Sequence, residues 1–151
     1  FQLVMNRGHY YLVGNHENYD DMSTLRVDRI AHITVLNERR KPLREIKGYQ
    51  QQRTFNVSQY VKEHIYMFGG ESITVTFKAK RSIVNQILDW FDGNVEFTNI
   101  TADNVVCRVR VNHDAFKYWA LQYMQSVKVL TPASLVTEVK AAIEEGLRQY
   151  S

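Results

Sequence analysis

From Ser72 onward the apolar residues switch repeatedly between a two-residue and a helical period, and that alternation leaves few folds open. Ile73, Val75 and Phe77 alternate with Thr74, Thr76 and Lys78, the pattern of a half-buried strand. Ile83, Val84, Ile87, Leu88 and Phe91 then recur at helical spacing. Asp92-Gly93-Asn94 makes a turn, and Val95 and Phe97 open a second strand. Asp103-Asn104 turns the chain into Val105, Cys107, Val109 and Val111. Phe116, Trp119, Ala120 and Tyr123 share the inner stripe of a helix that Asn112 or Asp114 can cap. Val127 to Leu130 is a strand, punctuated by Pro132. Leu135, Val139, Ala142, Ile143 and Leu147 mark a last amphipathic helix. The order is β-α-β-β-α-β with one extra helix, which is the ferredoxin-like split βαβ arrangement.

The first half reads differently. Phe1 to Met5 is apolar and extended, and Asn6-Arg7-Gly8 is a turn signal. His9 to Val13 is aromatic and β-branched, so strand again. Leu25 to Ile30 alternates, and Ile33 and Val35 continue the alternation to Leu36. Short strands with tight turns predict a small barrel or curled sheet. The charge run Glu38-Arg39-Arg40-Lys41-Pro42 reads as a solvated break, and the polar stretch to Asn56 as a connector. Residues 57–67 carry Val57, Tyr60, Val61, His64 and Ile65 on one stripe, a short helix capped by Asn56 or Ser58 and stopped by Gly69-Gly70. The expected class is α+β, divided into a partial barrel over 1–37, a connector over 38–71 and a ferredoxin-like domain over 72–151. A chain that opens on Phe1-Gln2-Leu3-Val4-Met5, a strand already in progress, reads as a piece of a longer protein.

Much chemistry is disfavoured. With 44% hydrophobic residues the chain can build a core, and no window is apolar enough for a membrane helix. Cys107 stands alone, which rules out an internal disulfide and suits a reducing compartment. The five histidines show no metal-ligand spacing, so neither a metal nor a cofactor is expected. There is no nucleophile elbow and no phosphate-binding glycine loop. Asp20-Asp21 and Glu144-Glu145 are neighbours that point apart, poor acid/base pairs. The net charge is only +3, so attraction to an anion has to come from local arrangement. On the second domain the outward strand positions are Thr74, Thr76, Lys78, Glu96, Thr98, Arg108, Arg110 and Lys128. That face is basic but lacks the aromatics of an RNA-recognition sheet. Arg108 and Arg110 suit phosphate or a subunit contact, or are simply solvated.

One constellation invites a ligand. On a strand Tyr11 and Val13 share one face and Tyr10 and Leu12 the other. Arg26 and Asp28 would share a face opposite Val27 and Arg29. An aromatic strand beside an arginine-bearing one can stack a planar group and pair a phosphate or carboxylate, because guanidinium is planar and bidentate. The other reading is structural, an Asp28–Arg29 or Arg26–Asp28 pair around a barrel rim.

These residues carry a resemblance. Tyr10-Tyr11-Leu12, Arg26-Val27-Asp28-Arg29-Ile30 and Tyr66-Met67-Phe68-Gly69-Gly70-Glu71 resemble the WYL-domain transcriptional regulators. Phe116-Lys117-Tyr118-Trp119-Ala120, Val127-Lys128-Val129-Leu130-Thr131-Pro132 and Tyr150 are similar to landmarks of the extension that follows that domain. The resemblance implies an Sm-like, SH3-type barrel whose first strand is cut off, and a DNA-binding helix-turn-helix ahead of it. It implies a cytoplasmic bacterial protein, a homodimer, and a nucleic-acid or nucleotide-like effector held by Tyr11, Arg26 and Arg29. Two positions depart from the family: Tyr10 replaces the name-giving tryptophan, and Ser23 stands where many members have a further arginine. His9 is placed to supply part of that charge. The expected role is the effector-sensing and dimerisation region of a regulator that meets operator DNA through its helix-turn-helix. The rival is a purely structural dimerisation module; a nucleotide-processing enzyme would need converging catalytic groups that the sequence does not offer.

Overall fold

The computed structural model describes residues 1–150, so Ser151, the last residue of the expected second domain, lies outside the described residues. The chain is α+β and divides into two compact units. One comprises Phe1–Val61 with Met67–Glu71, the other Lys62–Tyr66 with the chain from Ser72 onward.

In the first unit β1 (Gln2–Asn6), β2 (His9–Asn15) and β3 (Met22–Arg26) form an antiparallel sheet in the order β1-β2-β3. A two-residue turn joins β1 to β2, with Asn6 paired to His9. Arg7 at φ 48° and Gly8 at φ 81° both take left-handed backbone, which matches the twist of a tight hairpin and makes glycine the fitting residue at position 8. The register places Val4, Val13 and Met22 on one face, all buried.

The expected barrel is corrected here: among the described residues this sheet is open, not closed. The long strand expected over 25–36 is corrected as well. Pairing ends at Arg26, Val27–Arg29 is a 3-10 turn closed by the Ile30 amide donating to the Val27 carbonyl, and 30–36 holds no regular element. The reason is local. Arg26 grips the carboxylate two residues on, which curls the chain, and Ile33 and Val35 stay exposed with no strand to alternate against.

A three-stranded sheet needs a cover for its apolar face. The polar-looking stretch after Pro42 supplies it. Ile46 is buried among Val4, Val13, Met22, Tyr60 and Met67, with Leu43, Tyr49 and Phe55 packed around them. The Lys47 amide donates to the Asp20 carbonyl at 2.7 Å, tying this stretch to the β2–β3 loop. Helix α1 runs Val57–Glu63, shorter than the expected 57–67, and Asn56 is its cap, its side-chain oxygen accepting from the Gln59 amide at 3.0 Å. His64 and Ile65 continue the buried stripe after the helix has ended.

The second unit follows the expected order: β4 (Ser72–Lys80), α2 (Val84–Phe91), β5 (Val95–Ile100), β6 (Asn104–Asn112), α3 (His113–Gln122), β7 (Val127–Thr131) and α4 (Ala133–Arg148). The strands pair antiparallel in the order β5-β6-β4-β7. Val75, Phe77 and Ala79 of β4 meet Val105, Cys107, Val109 and Val111 of β6 on the inner face. Trp119 sits at the centre of the core, its ring 5.3 Å from Phe77 and 4.9 Å from Phe91. Asn112 ends β6 and starts α3, its buried side-chain oxygen accepting from the Ala115 amide at 3.0 Å. Along α4 the expected stripe is buried at Leu135 and opens to solvent by Ile143 and Leu147.

Candidate functional site

The register of the first sheet sets the site. Tyr11 of β2 lies directly opposite Arg26 of β3, and Val13 opposite Thr24. Because the strand period is two, His9, Tyr11 and Val13 share one face with Thr24 and Arg26. Toward one end that face is core; toward the hairpin end it opens out. Tyr11 packs partly against the core, whereas His9 is exposed. Thr24, one row in from Arg26, shares a hydroxyl–hydroxyl hydrogen bond of 3.1 Å with the buried Tyr60, whose phenol is pushed above its ordinary range by burial.

Arg26 is not idle. Its Nε and Nη2 donate to the two carboxylate oxygens of Asp28 at 2.9 and 2.5 Å, a fork-on-fork geometry. This hydrogen bonding holds the Asp28 carboxyl below the usual carboxylate range and raises the Arg26 guanidinium, with His9 adding to the positive field on Asp28. The facing inferred from an extended strand, with Arg26 and Asp28 opposite Val27 and Arg29, does not hold, since 27–29 is a turn. Arg29 closes that turn, exposed, and among the described residues no carboxylate reaches it.

The fold therefore gathers His9, Tyr11, Arg26 and Asp28 at one end of the sheet, with Arg29 on the adjoining turn. Ser23 is separated from them: it pairs with Gly14 and belongs to the opposite face. Sequence alone assigned Thr24 no role and placed Tyr60 only on a helix stripe, although Thr24 precedes Arg26 by the two-residue strand period and so had to share its face.

On the second unit the outward strand residues are exposed except Thr76, which is half-buried, and Arg110 lies 3.3 Å from Glu63. Cys107 is buried, and burial pushes its thiol up to about 11. Among the described residues no cluster of His, Cys, Asp or Glu is arranged to hold a metal ion, and no helix is long and apolar enough to cross a membrane.

An open sheet with aromatic and arginine side chains at one end, followed by a four-stranded α+β unit, defines a two-part architecture. Residues 1–35 match the WYL domain and residues 70–147, over half the chain, match the WCX domain. The chain belongs to the family of proteins that carry a WYL domain followed by a WCX domain. No curated protein matches it. Among solved structures it is similar to the proteasome accessory factor B/C (PafBC) of Arthrobacter aurescens, at 19% identity and a TM-score of 0.48, over 99% of this chain and 22% of that one. The chain thus spans about a fifth of the length of that protein.

Proposed function

We propose that this chain is the effector-sensing and dimerisation region of a bacterial transcriptional regulator, and that its effector is a nucleic acid or nucleotide-like anion. The observation that carries the reading is the pairing of Tyr11 with Arg26 across β2 and β3, with His9 on the same face. Tyr11 offers a ring for a planar base, and Arg26 and Arg29 offer guanidinium groups for phosphate. Arg29 meets the anion first, because among the described residues no carboxylate occupies it. At Arg26 the incoming phosphate replaces the Asp28 carboxylate. That exchange frees the turn Val27–Arg29, which the Arg26–Asp28 pair fastens, and so gives ligand binding a structural consequence. Regulation follows if the ligand favours one arrangement of the dimer over another, changing how a helix-turn-helix in the full-length protein meets operator DNA. The WYL and WCX matches support the regulator class. The antiparallel order β5-β6-β4-β7 supports a ferredoxin-like second unit, and the small, tightly turned first sheet supports an SH3-like one.

The Arg26–Asp28 pair also favours a second reading, a structural dimerisation module in which that pair only pins a turn. One experiment separates the two. Labelled short single-stranded DNA and RNA are titrated by fluorescence anisotropy across a salt series with the wild type, Arg26→Ala and Arg29→Ala. The sensor reading expects saturable, salt-sensitive binding that both substitutions weaken while the melting temperature holds. Binding unaffected by either substitution, or unfolding of Arg26→Ala, favours the structural module.

A further inference from the structure

The outer face of the four-stranded sheet carries a second feature, independent of Tyr11 and Arg26. Lys78 of β4 and Lys128 of β7 are direct partners in the register. Both are exposed, and among the described residues no carboxylate reaches either. Like charges placed directly opposite on adjacent strands destabilise a sheet. Lys80 lies one period further along β4 on the same face, and Arg108 and Arg110 stand on the neighbouring β6, opposite Thr76 and Thr74. Among the described residues two acids answer them: Glu96 is the partner of Arg108, and Glu63 lies 3.3 Å from Arg110. The lysine side is left uncompensated.

We infer that this face is a docking surface for the phosphate backbone of a nucleic-acid strand. The cations do not converge on a point, as they would for a small anion. They run along β4 and across to β6 and β7, with same-face positions on one strand about 6.8 Å apart. That layout suits an extended polyanion whose charges repeat. The Thr74 and Thr76 side chains add hydroxyl donors along the same line. Phosphates seated between Lys78 and Lys128 relieve the repulsion that the bare sheet carries. The face has no aromatic side chain among Thr74, Thr76, Lys78, Arg108, Arg110 and Lys128, so it holds the backbone and leaves the bases unread.

The test uses the whole chain and separates this face from the first. Binding of labelled oligothymidylate, and of the same length of duplex, is measured across salt in the Arg26→Ala/Arg29→Ala background. Lys78→Glu is then added, with Lys78→Arg as control. The substitution to Glu sets opposite charges against each other across β4 and β7, so the melting temperature holds or rises. Residual salt-dependent binding in the background, weakened about tenfold by Lys78→Glu with a salt slope flatter by ~0.7 and retained in Lys78→Arg, supports the surface. No residual binding at low salt, or an affinity indifferent to Lys78→Glu, overturns it. Polyglutamate competing as well as the oligonucleotide also overturns it, in favour of an acidic peptide. If instead wild-type binding ignores Arg26→Ala/Arg29→Ala and falls with Lys78→Glu, this surface stands and the site at Tyr11 falls.

Discussion

Asp28→Asn is the sharpest probe of how the proposed sensing site works. The carboxylate of Asp28 already fills the Arg26 fork, with contacts of 2.9 and 2.5 Å. An effector phosphate that needs this guanidinium has to compete with it. Asparagine keeps the size and removes the charge, so the substitution removes the competitor without opening space. The pair is exposed to solvent, and exposed pairs are weak, so the gain is modest: affinity for a phosphorylated effector rises about two- to fivefold. Salt screens the same interaction, so the advantage shrinks as ionic strength rises through about 0.1 M, where the Debye length is near 10 Å. The pH dependence has a definite sign. Hydrogen bonding from Arg26 lowers the Asp28 carboxyl below its ordinary range, so it stays ionised at neutral and mildly acid pH and competes throughout. Wild type and variant converge only when acid protonates Asp28. The assay is anisotropy of a labelled oligonucleotide, run side by side for both proteins across salt and pH. Weaker binding by Asp28→Asn at every salt concentration would refute the reasoning, showing that Asp28 presents the guanidinium instead of blocking it.

Two further expectations concern the second unit. Asn112→Ala removes the buried cap of α3 and should lower stability by about 1–2 kcal/mol, read as a lower urea midpoint with an unchanged slope. The Cys107 thiol, raised to about 11 by burial, should resist an aromatic disulfide reagent at pH 8 in the native state and react once the chain is unfolded in urea, with native reactivity counting against the packing described.

The second unit was legible because each strand buries one face and each helix one stripe, so its periodicity is strong over its whole length. Phe77 and Cys107 were inward by strand parity and Trp119 by helical spacing, and all three are fully buried. In the first unit β1 and most of β2 were legible, but the strand read from Leu25 in fact starts at Met22 and stops pairing at Arg26. Beyond it the apolar alternation of Val27, Ile33 and Val35 looks like strand, but an ion pair two residues long bends the backbone, and no pairing strand compensates. Helix α1 was overextended for a related reason: His64 and Ile65 remain buried after the helix stops, so burial outlasts hydrogen bonding. The stretch after Pro42 reads as a connector because polar residues dominate it as far as Asn56. Its signal was the spacing of Leu43, Ile46 and Tyr49, three residues apart, which matches the successive amide-to-carbonyl bonds from Ile46 to Leu43 and from Tyr49 to Ile46, both 3.0 Å. At the site, Tyr11 and Arg26 lie opposite each other on neighbouring strands, whereas Ser23, three residues before Arg26, falls on the other face by the same two-residue period that brings Thr24 in.

The burial of Ile46 against the first sheet bears on how the proposed site can be moved between proteins. Its sheet of three strands has no interior of its own; the lining arrives from residues that follow it by some twenty positions and look dispensable on composition. A graft that carried only the strands would transplant Tyr11 and Arg26 without the ballast that holds them in register. The portable cassette has to include the stretch from Leu43 to Tyr60 and the return at Met67. Recombination between relatives would then be tolerated at the edges of that cassette and punished inside it.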